Sequence, residues 1–191
     1  YRLSADQAMV VSDKFAALAA ASATDYEELA FALTKVGAQA YSAGVNMDNM
    51  MGFIAQALET TREAPENIGT AFKTIFARMS EIKDYGKTLE DGMDVNRVDK
   101  ALSTIGVALT NQQNELRNLD DVLIDVGNKW DTLDKNQKAY ITTALAGTRQ
   151  QTRLLAVFED FDRTMELSKI SADSLGASYA QQAKYLKSIE Y

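Results

Sequence analysis

The chain has 191 residues, 46% of them hydrophobic, carries a formal net charge of −7, and contains neither cysteine nor histidine. A chain of this length buries a real core in one domain or two small ones. Disulfides are excluded, metal ligation is left to carboxylates and amides, and the spread of acidic residues argues against binding a phosphate backbone, so no cofactor, no metal and no direct nucleic-acid contact are expected. No run approaches the roughly 18 uninterrupted apolar residues of a membrane span, and the Ala-rich stretch 15–21 is too short and too weakly apolar, so no membrane contact is expected from this segment. The chain opens on Tyr1 and closes within a helical pattern, and it reads as a piece of a longer polypeptide.

Ser4 and Gln7 make a Ser-x-x-Gln capping box ahead of Ala8, Val11, Phe15 and Leu18, predicting an amphipathic helix that runs to Ala21. Thr24 with Glu27, or Asp25 with Glu28, caps a second helix whose inner face is Leu29, Leu33, Val36 and Ala40, with Gly44 as its stop. Asn46 or Asp48 caps a third, striped by Met47, Met51, Ile54 and Leu58. The methionines here, with Met79, read as core filling in preference to an adaptable binding surface, because methionine suits irregular gaps. Pro65 ends this helix by pushing Ala64 out of helical geometry.

Pro65 also starts the next helix, where its missing amide costs nothing. Ile68, Phe72, Ile75, Met79 and Ile82 recur at steps of four and three, one buried stripe that should sit centrally, and the helix is expected to end near Gly86. Thr88 to Val95 is polar and contains Gly92, so it reads as a loop. Asp91, Asp94, Asn96 and Asp99 miss the glycine and glutamate spacing of a calcium loop and read as solvated loop and cap residues. Asn96 to Thr104 predicts a short helix closed by Gly106.

Val107 and Leu109, then the polar tip 110–114, then Leu116 permit a small β-hairpin, with no glycine at the tip to fix its turn type. Asp120 caps a helix with Val122, Leu123, Val126, Trp130 and Leu133 on its inner face. Asp120, Asp121 and Asp125 read as complements to the helix dipole in preference to an acid–base pair, and Trp130 as a core anchor in preference to a ligand platform. Asp134 with Gln137 opens a helix carrying Tyr140, Ile141, Ala144 and Leu145 to Gly147. Thr148 with Gln151 makes a further capping box for a long helix through Leu154, Phe158, Phe161 and Met165 towards Ile170. Arg149, Arg153 and Arg163 there are matched by Glu159, Asp160, Asp162 and Glu166 in intrahelical pairs. Gly176 marks a kink or break, and a last helix carries Tyr179, Ala183, Leu186 and Ile189.

These elements predict an all-α, multi-helix bundle of about eight helices with at most one small β-hairpin near 107–117. It reads as a single helical module over 1–191, with a possible subdivision into 1–86 and 87–191. There is no fixed-period repeat.

The run PENIGTAFKTIFARMSEIK resembles the signature segment of phage tail tape measure proteins, whose iGta-K-TifaRm-e-k pattern falls here on Ile68, Gly69, Ile75, Phe76, Arg78 and Met79, flanked by Pro65 and containing Phe72. A second segment, KWDTLDKNQKAYITTALAGTRQQTRLLAVFEDFDRTMEL, is similar to the family's pattern of a tryptophan (Trp130), a helix ending Ala-Gly (Gly147) and a Thr-Arg-Gln-Gln start (Arg149, Gln150). The resemblance spans Asp25 to Tyr191. It implies a non-enzymatic structural virion protein acting in tail assembly, tail-length determination and genome ejection. The partners it implies are the tail tube protein, the tail assembly chaperones and distal tail or baseplate hub proteins. The location it implies is the tail tube lumen or tail tip of the virion, after synthesis in the host cytoplasm. It also implies a homo-oligomer, with a trimer the preferred state.

Two other classes compete with this reading. A free helical adaptor would hold a partner helix in an apolar groove. A cell-wall hydrolase would need a paired-carboxylate cleft, since the metal and thiol versions require residues this chain lacks. Within the tape measure reading, Gly44, Pro65, Gly86, Gly106 and Gly147 interrupt the helices at short intervals, so the segment is expected to fold back on itself. Insertions near Asp84 to Val95 are therefore expected to leave tail length unchanged or to block assembly.

Overall fold

The computed structural model describes Tyr1, residues 4–81 and residues 97–189. Ile82 and Lys83 at the expected end of the signature helix, the Gly86 stop, the 88–95 loop with Asp91, Gly92 and Asp94, Asn96, and the 84–95 insertion site lie outside the described residues. Among the described residues the fold is all α. Its helices are α1 (Ala5–Ala21), α2 (Tyr26–Ser42), α3 (Met47–Thr61), α4 (Pro65–Ser80), α5 (Arg97–Ser103), α6 (Leu119–Lys129), α7 (Lys135–Ala146), α8 (Gln151–Glu159), α9 (Phe161–Ala172) and α10 (Ala177–Ile189), with one 3-10 turn at Trp130–Thr132.

Local chemistry sets most boundaries. Reciprocal capping boxes form at Ser4 and Gln7, Asp25 and Glu28, and Asp134 and Gln137, each satisfying two amides that a helix start leaves without partners. Asn46 caps α3 by accepting from the Asp48 and Asn49 amides, and Pro65 takes the first position of α4. The expected hairpin reduces to a single antiparallel bridge between Thr110 and Leu116. Asn114 adopts φ +62° at its tip, and Asn111 Oδ1 accepts from the Gln113 and Glu115 amides. An asparagine tolerates the left-handed region through such local bonds, so the turn closes without glycine.

Three expectations fail for identifiable reasons. Asp120 is not a cap: α6 begins after Asn118, and Asp120 lies inside its first turn with its carboxylate turned into the protein. The Thr148 capping box does not form, because Gly147 at φ +71° turns the chain and α8 starts only at Gln151. The long helix from 148 to 170 is two helices. Asp160 leaves helical geometry at φ −130°, ψ 68° and caps α9 by accepting from the Arg163 amide, a competition with the backbone that makes aspartate a cap-former in preference to an interior residue. The break rotates the buried face: Thr164, Leu167, Ser168 and Ser171 go inward, while Phe161 and Met165 are only half-buried. The expected last helix forms as α10, and its Tyr179, Ala183 and Leu186 are exposed.

The most enclosed helix is α3 and not α4. Every residue from Met50 to Leu58 is buried, so α3 has no polar face in its middle, and it packs against α1, α2, α4, α8 and α9. Met50, Met51 and Met79 are core residues. A single hydrophobic cluster joins Phe15, Leu29, Phe53, Phe72, Trp130 and Phe158 with some three dozen other buried side chains.

The start of α10 is held by a carboxylate from α1. Asp13 accepts from the amides of Gly176 and Ser178 at 3.0 Å each. Hydrogen bonding by the Ser178 side chain and by the Gly176 and Ser178 amides holds Asp13 below the ordinary aspartate value. A carboxyl depressed in the folded state stabilises above its unfolded value, about 3.9, and loses that contribution as pH falls through its lowered folded value. Asp13→Asn is therefore expected to lower amide protection factors at 176–181 at neutral pH, and acidification of the unmodified protein through the lowered Asp13 value to lower them likewise, each rate being taken relative to the intrinsic rate at that pH. Unchanged protection in both cases would remove this capping role.

Candidate functional site

The apolar stripe of α4 and the glycine inside it fix how this helix sits. Ile68, Phe72, Ile75, Phe76 and Met79 have no exposed surface, while Lys73 on the opposite face is exposed. Gly69 lies where α4 crosses α2: a Cβ built there would meet the Ala32 carbonyl oxygen at 2.6 Å and Lys35 Cβ at 2.7 Å. Only a residue without a side chain permits that approach.

Arg78, near the end of α4, reaches α7. Its Nε donates to the Ala144 carbonyl at 3.3 Å, and its Nη2 donates to Ala144 at 3.2 Å and Thr143 at 3.4 Å. Those carbonyls belong to the last turn of α7, at the negative end of the helix dipole, where the Thr143 carbonyl also accepts from the Gly147 amide at 2.9 Å. Gly147 follows immediately, and a Cβ there would lie 3.5 Å from the Arg78 guanidinium. Arg78 and Gly147, which belong to different resembling segments, thus meet in one contact. Hydrogen bonds to a charged group contribute about 1.5 to 3 kcal/mol, so Arg78→Ala is expected to cost that much in urea unfolding. Arg78→Lys should recover only part, since one ammonium does not reproduce the planar fork; full recovery would show that charge alone matters.

Trp130 stacks on Phe158 with ring centroids 4.8 Å apart, is 1% exposed, and has the Lys138 ammonium 5.3 Å from its ring centre. It is a core anchor. Beyond Gly147, Gln150 accepts from Arg153 through its side-chain oxygen, and Arg149 is exposed and accepts from Arg153 through its carbonyl. The arginines of α8 and α9 pair mainly across the fold and not along their own helices. Arg153 binds Glu63 in the α3–α4 connection. Arg163 binds Glu59 of α3, the Ala21 carbonyl and, as the one intrahelical partner, Glu166. Burial pushes Glu59 up, but hydrogen bonding and charge from Arg163 outweigh it and hold the carboxyl below its usual range.

Sequence reasoning missed a polar network at the start of α3. Lys14 Nζ and Ser171 Oγ both donate to Asp48 Oδ1, at 2.5 and 2.7 Å. Ser168 Oγ donates to Asn49 Oδ1 at 2.5 Å, and Asn49 Nδ2 donates to Asp120 Oδ2 at 2.8 Å, which also accepts from the Asn46 amide. The network joins α1, α3, α6 and α9, and its side chains Lys14, Asp48, Asn49, Asp120, Ser168 and Ser171 are buried or half-buried. Low surrounding polarity makes such matched groups specify one arrangement of helices. Thr164, Ser168 and Ser171, at steps of four and three, were the available signal, since a small polar face on a buried helix needs partners. Among the described residues no group of three or more acidic side chains could hold a metal ion, and no helix is long and apolar enough to cross a membrane.

The arrangement at these residues is thus one of contacts that lock helices together. A family model for the phage-related minor tail proteins matches residues 1–147. The chain belongs to that family. It is a phage tail protein, and the family match takes in α1 to α7, ending at Gly147. No solved structure matches the chain. Gly69 against α2 and Arg78 on the last turn of α7 are both contacts within the framework of the fold.

Proposed function

We propose that this minor tail protein is a segment of a tape measure protein, a folded helical module acting in tail assembly, tail-length determination and genome ejection from the tube lumen or tail tip. The observation that carries the reading is the junction of Arg78 with the Thr143 and Ala144 carbonyls just before Gly147: two segments that separately resemble the tape measure signature form one packed unit. In this role it works without catalysis, contacts the tail tube protein, the assembly chaperones and distal tail or hub proteins, and is present in several copies, three being the preferred number. A short-range, fold-back module transmits position and binding surfaces and adds no length of its own.

The test is graded in-frame insertion at the exposed turn 111–114, which lies between α5 and α6. Tail length by electron microscopy should stay constant or assembly should fail. A linear increase near 1.5 Å per inserted residue, the rise of an extended helix, would make this stretch ruler and sink the folded-module reading. Lysis of peptidoglycan by the purified chain in a zymogram would overturn the non-enzymatic part.

A further inference from the structure

Residues 151–172 carry the pattern of one helix and fold as two. Leu154, Phe158, Phe161 and Met165 recur at steps of four, three and four across the break, and the stretch contains neither glycine nor proline, the residues at which helices ordinarily stop or kink. The break is a single residue wide, Asp160 between α8 and α9. Besides the Asp160 cap, two tertiary contacts hold it. The buried Thr164 hydroxyl donates to the Val157 carbonyl at 2.8 Å, with the Asp160 carbonyl at 3.1 Å; Val157 is the acceptor that an uninterrupted helix would give to the Phe161 amide. The Phe161 ring lies over Gly127 of α6, its Cε2 only 2.3 Å from where a Cβ would stand, so it fits there because residue 127 has no side chain.

The contacts of α9 with α3 are largely hydrophilic. Asp48, Asn49 and Glu59 of α3 take Ser171, Ser168 and Arg163, and between them lies the close approach at Gly52, where a Cβ would meet the Ser168 amide nitrogen at 2.8 Å. Leu167 is the one large apolar side chain of α9 that is fully buried. Hydroxyl, amide and ion-pair contacts fix the geometry of docking, yet water replaces much of each when the surfaces part, so their net hold is smaller than that of an apolar interface.

We propose that the α8–α9 junction is a two-state hinge. In the bent state, the one described above, α9 lies on α1 and α3. In the straightened state 151–172 is one helix, Phe161 and Met165 extend the stripe of Leu154 and Phe158, and the Phe161 amide takes the place of the Thr164 hydroxyl on Val157. Helix bonds form across the break as the side-chain links to α3 pass to water. The hinge is a property of these residues and does not depend on the tape measure reading.

The chain contains no cysteine, so Thr152→Cys and Lys169→Cys, both at exposed positions, place one spin label on each helix of the full chain. In one straight helix these positions stand about 26 Å apart along the axis. In the bent state they are closer, since residues 157 and 164, about 10 Å apart along a straight helix, are in contact. Pulsed electron resonance should show the shorter distance dominant in the labelled parent. Asp160→Ala, which removes the cap at an exposed position, should raise the fraction near the straight-helix distance about fivefold. Gly127→Ala should raise it too, because alanine suits α6 itself while evicting the Phe161 ring. Asp162→Pro should suppress it, because proline fits the first turn of α9 and not the interior of a continuous helix. Circular dichroism should show helicity kept in each variant. A distribution that neither Asp160→Ala nor Gly127→Ala moves towards the straight-helix distance would overturn the hinge. So would a broad spread with helicity lost, which would mean that α9 melts and does not straighten.

Discussion

Phe72→Ala is expected to cost about 3 to 5 kcal/mol of unfolding free energy, and Ile75→Ala about 2 to 5. Phe72 has no exposed surface and sits between two other rings, Phe53 with centroids 6.2 Å apart and Phe76 at 6.4 Å. Removing it leaves a hole bounded by α3 and α4, and α3 is packed on too many sides to move in and fill it. Urea unfolding monitored by circular dichroism measures the loss, read as a lower midpoint at constant slope. Lys73→Ala, one residue along on the exposed face, should fall within about 0.5 kcal/mol of the parent. Losses under about 1 kcal/mol at both Phe72 and Ile75 would mean that the stripe is covered by a partner and not by this chain's own core.

The features legible in the sequence are those decided within a few residues. Capping boxes at Ser4, Asp25 and Asp134, Asn46 as a cap, Pro65 as a start and the stops at Gly44 and Gly147 all rest on satisfying nearby amides and carbonyls. The stripe of α4 was legible because its other face is charged or small. What escaped reading depends on neighbours distant in sequence. The centrality of α3 comes from helices packing on every side, whereas its own pattern suggested one stripe, because Gly52, Ala55 and Gln56 gave no apolar signal. Gly52 is where α9 crosses: a Cβ there would lie 2.8 Å from the Ser168 amide nitrogen. Nothing near Arg153 or Arg163 announces that their main partners, Glu63 and Glu59, stand on the α3–α4 side. Asp120 looked like a cap because aspartate usually is one; its Asn46 and Asn49 partners appear only when α3 and α6 are packed. The residues of the signature were legible as a pattern, and the Arg78 contact that joins it to the second segment was not.

The second large effect is expected at Gly69. Helix propensity alone says that Gly69→Ala should stabilise, since glycine in a helix interior is worse than alanine by about 0.8 to 1 kcal/mol. Crowding says the opposite. The added Cβ would lie 2.6 Å from a backbone oxygen of Ala32 and 3.3 Å from its Cα, atoms that move only if α2 and α4 separate along their crossing. Overpacking of this kind costs about 1 to 3 kcal/mol directly, and separation also loosens Ile68 and Phe72 on either side. Net destabilisation is therefore expected for Gly69→Ala, and a larger one for Gly69→Leu. Gly37 supplies the control within the same helix pair. It lies in α2, where a Cβ would meet nothing closer than Tyr1 Cδ2 at 3.6 Å, an ordinary contact. Gly37→Ala should leave stability unchanged or raise it by the propensity difference. Opposite signs for the two substitutions in urea unfolding would establish that the α2–α4 crossing is held by close backbone approach at Gly69. A gain at both would show that the helices stand further apart and that the glycine in the signature serves some surface outside the fold.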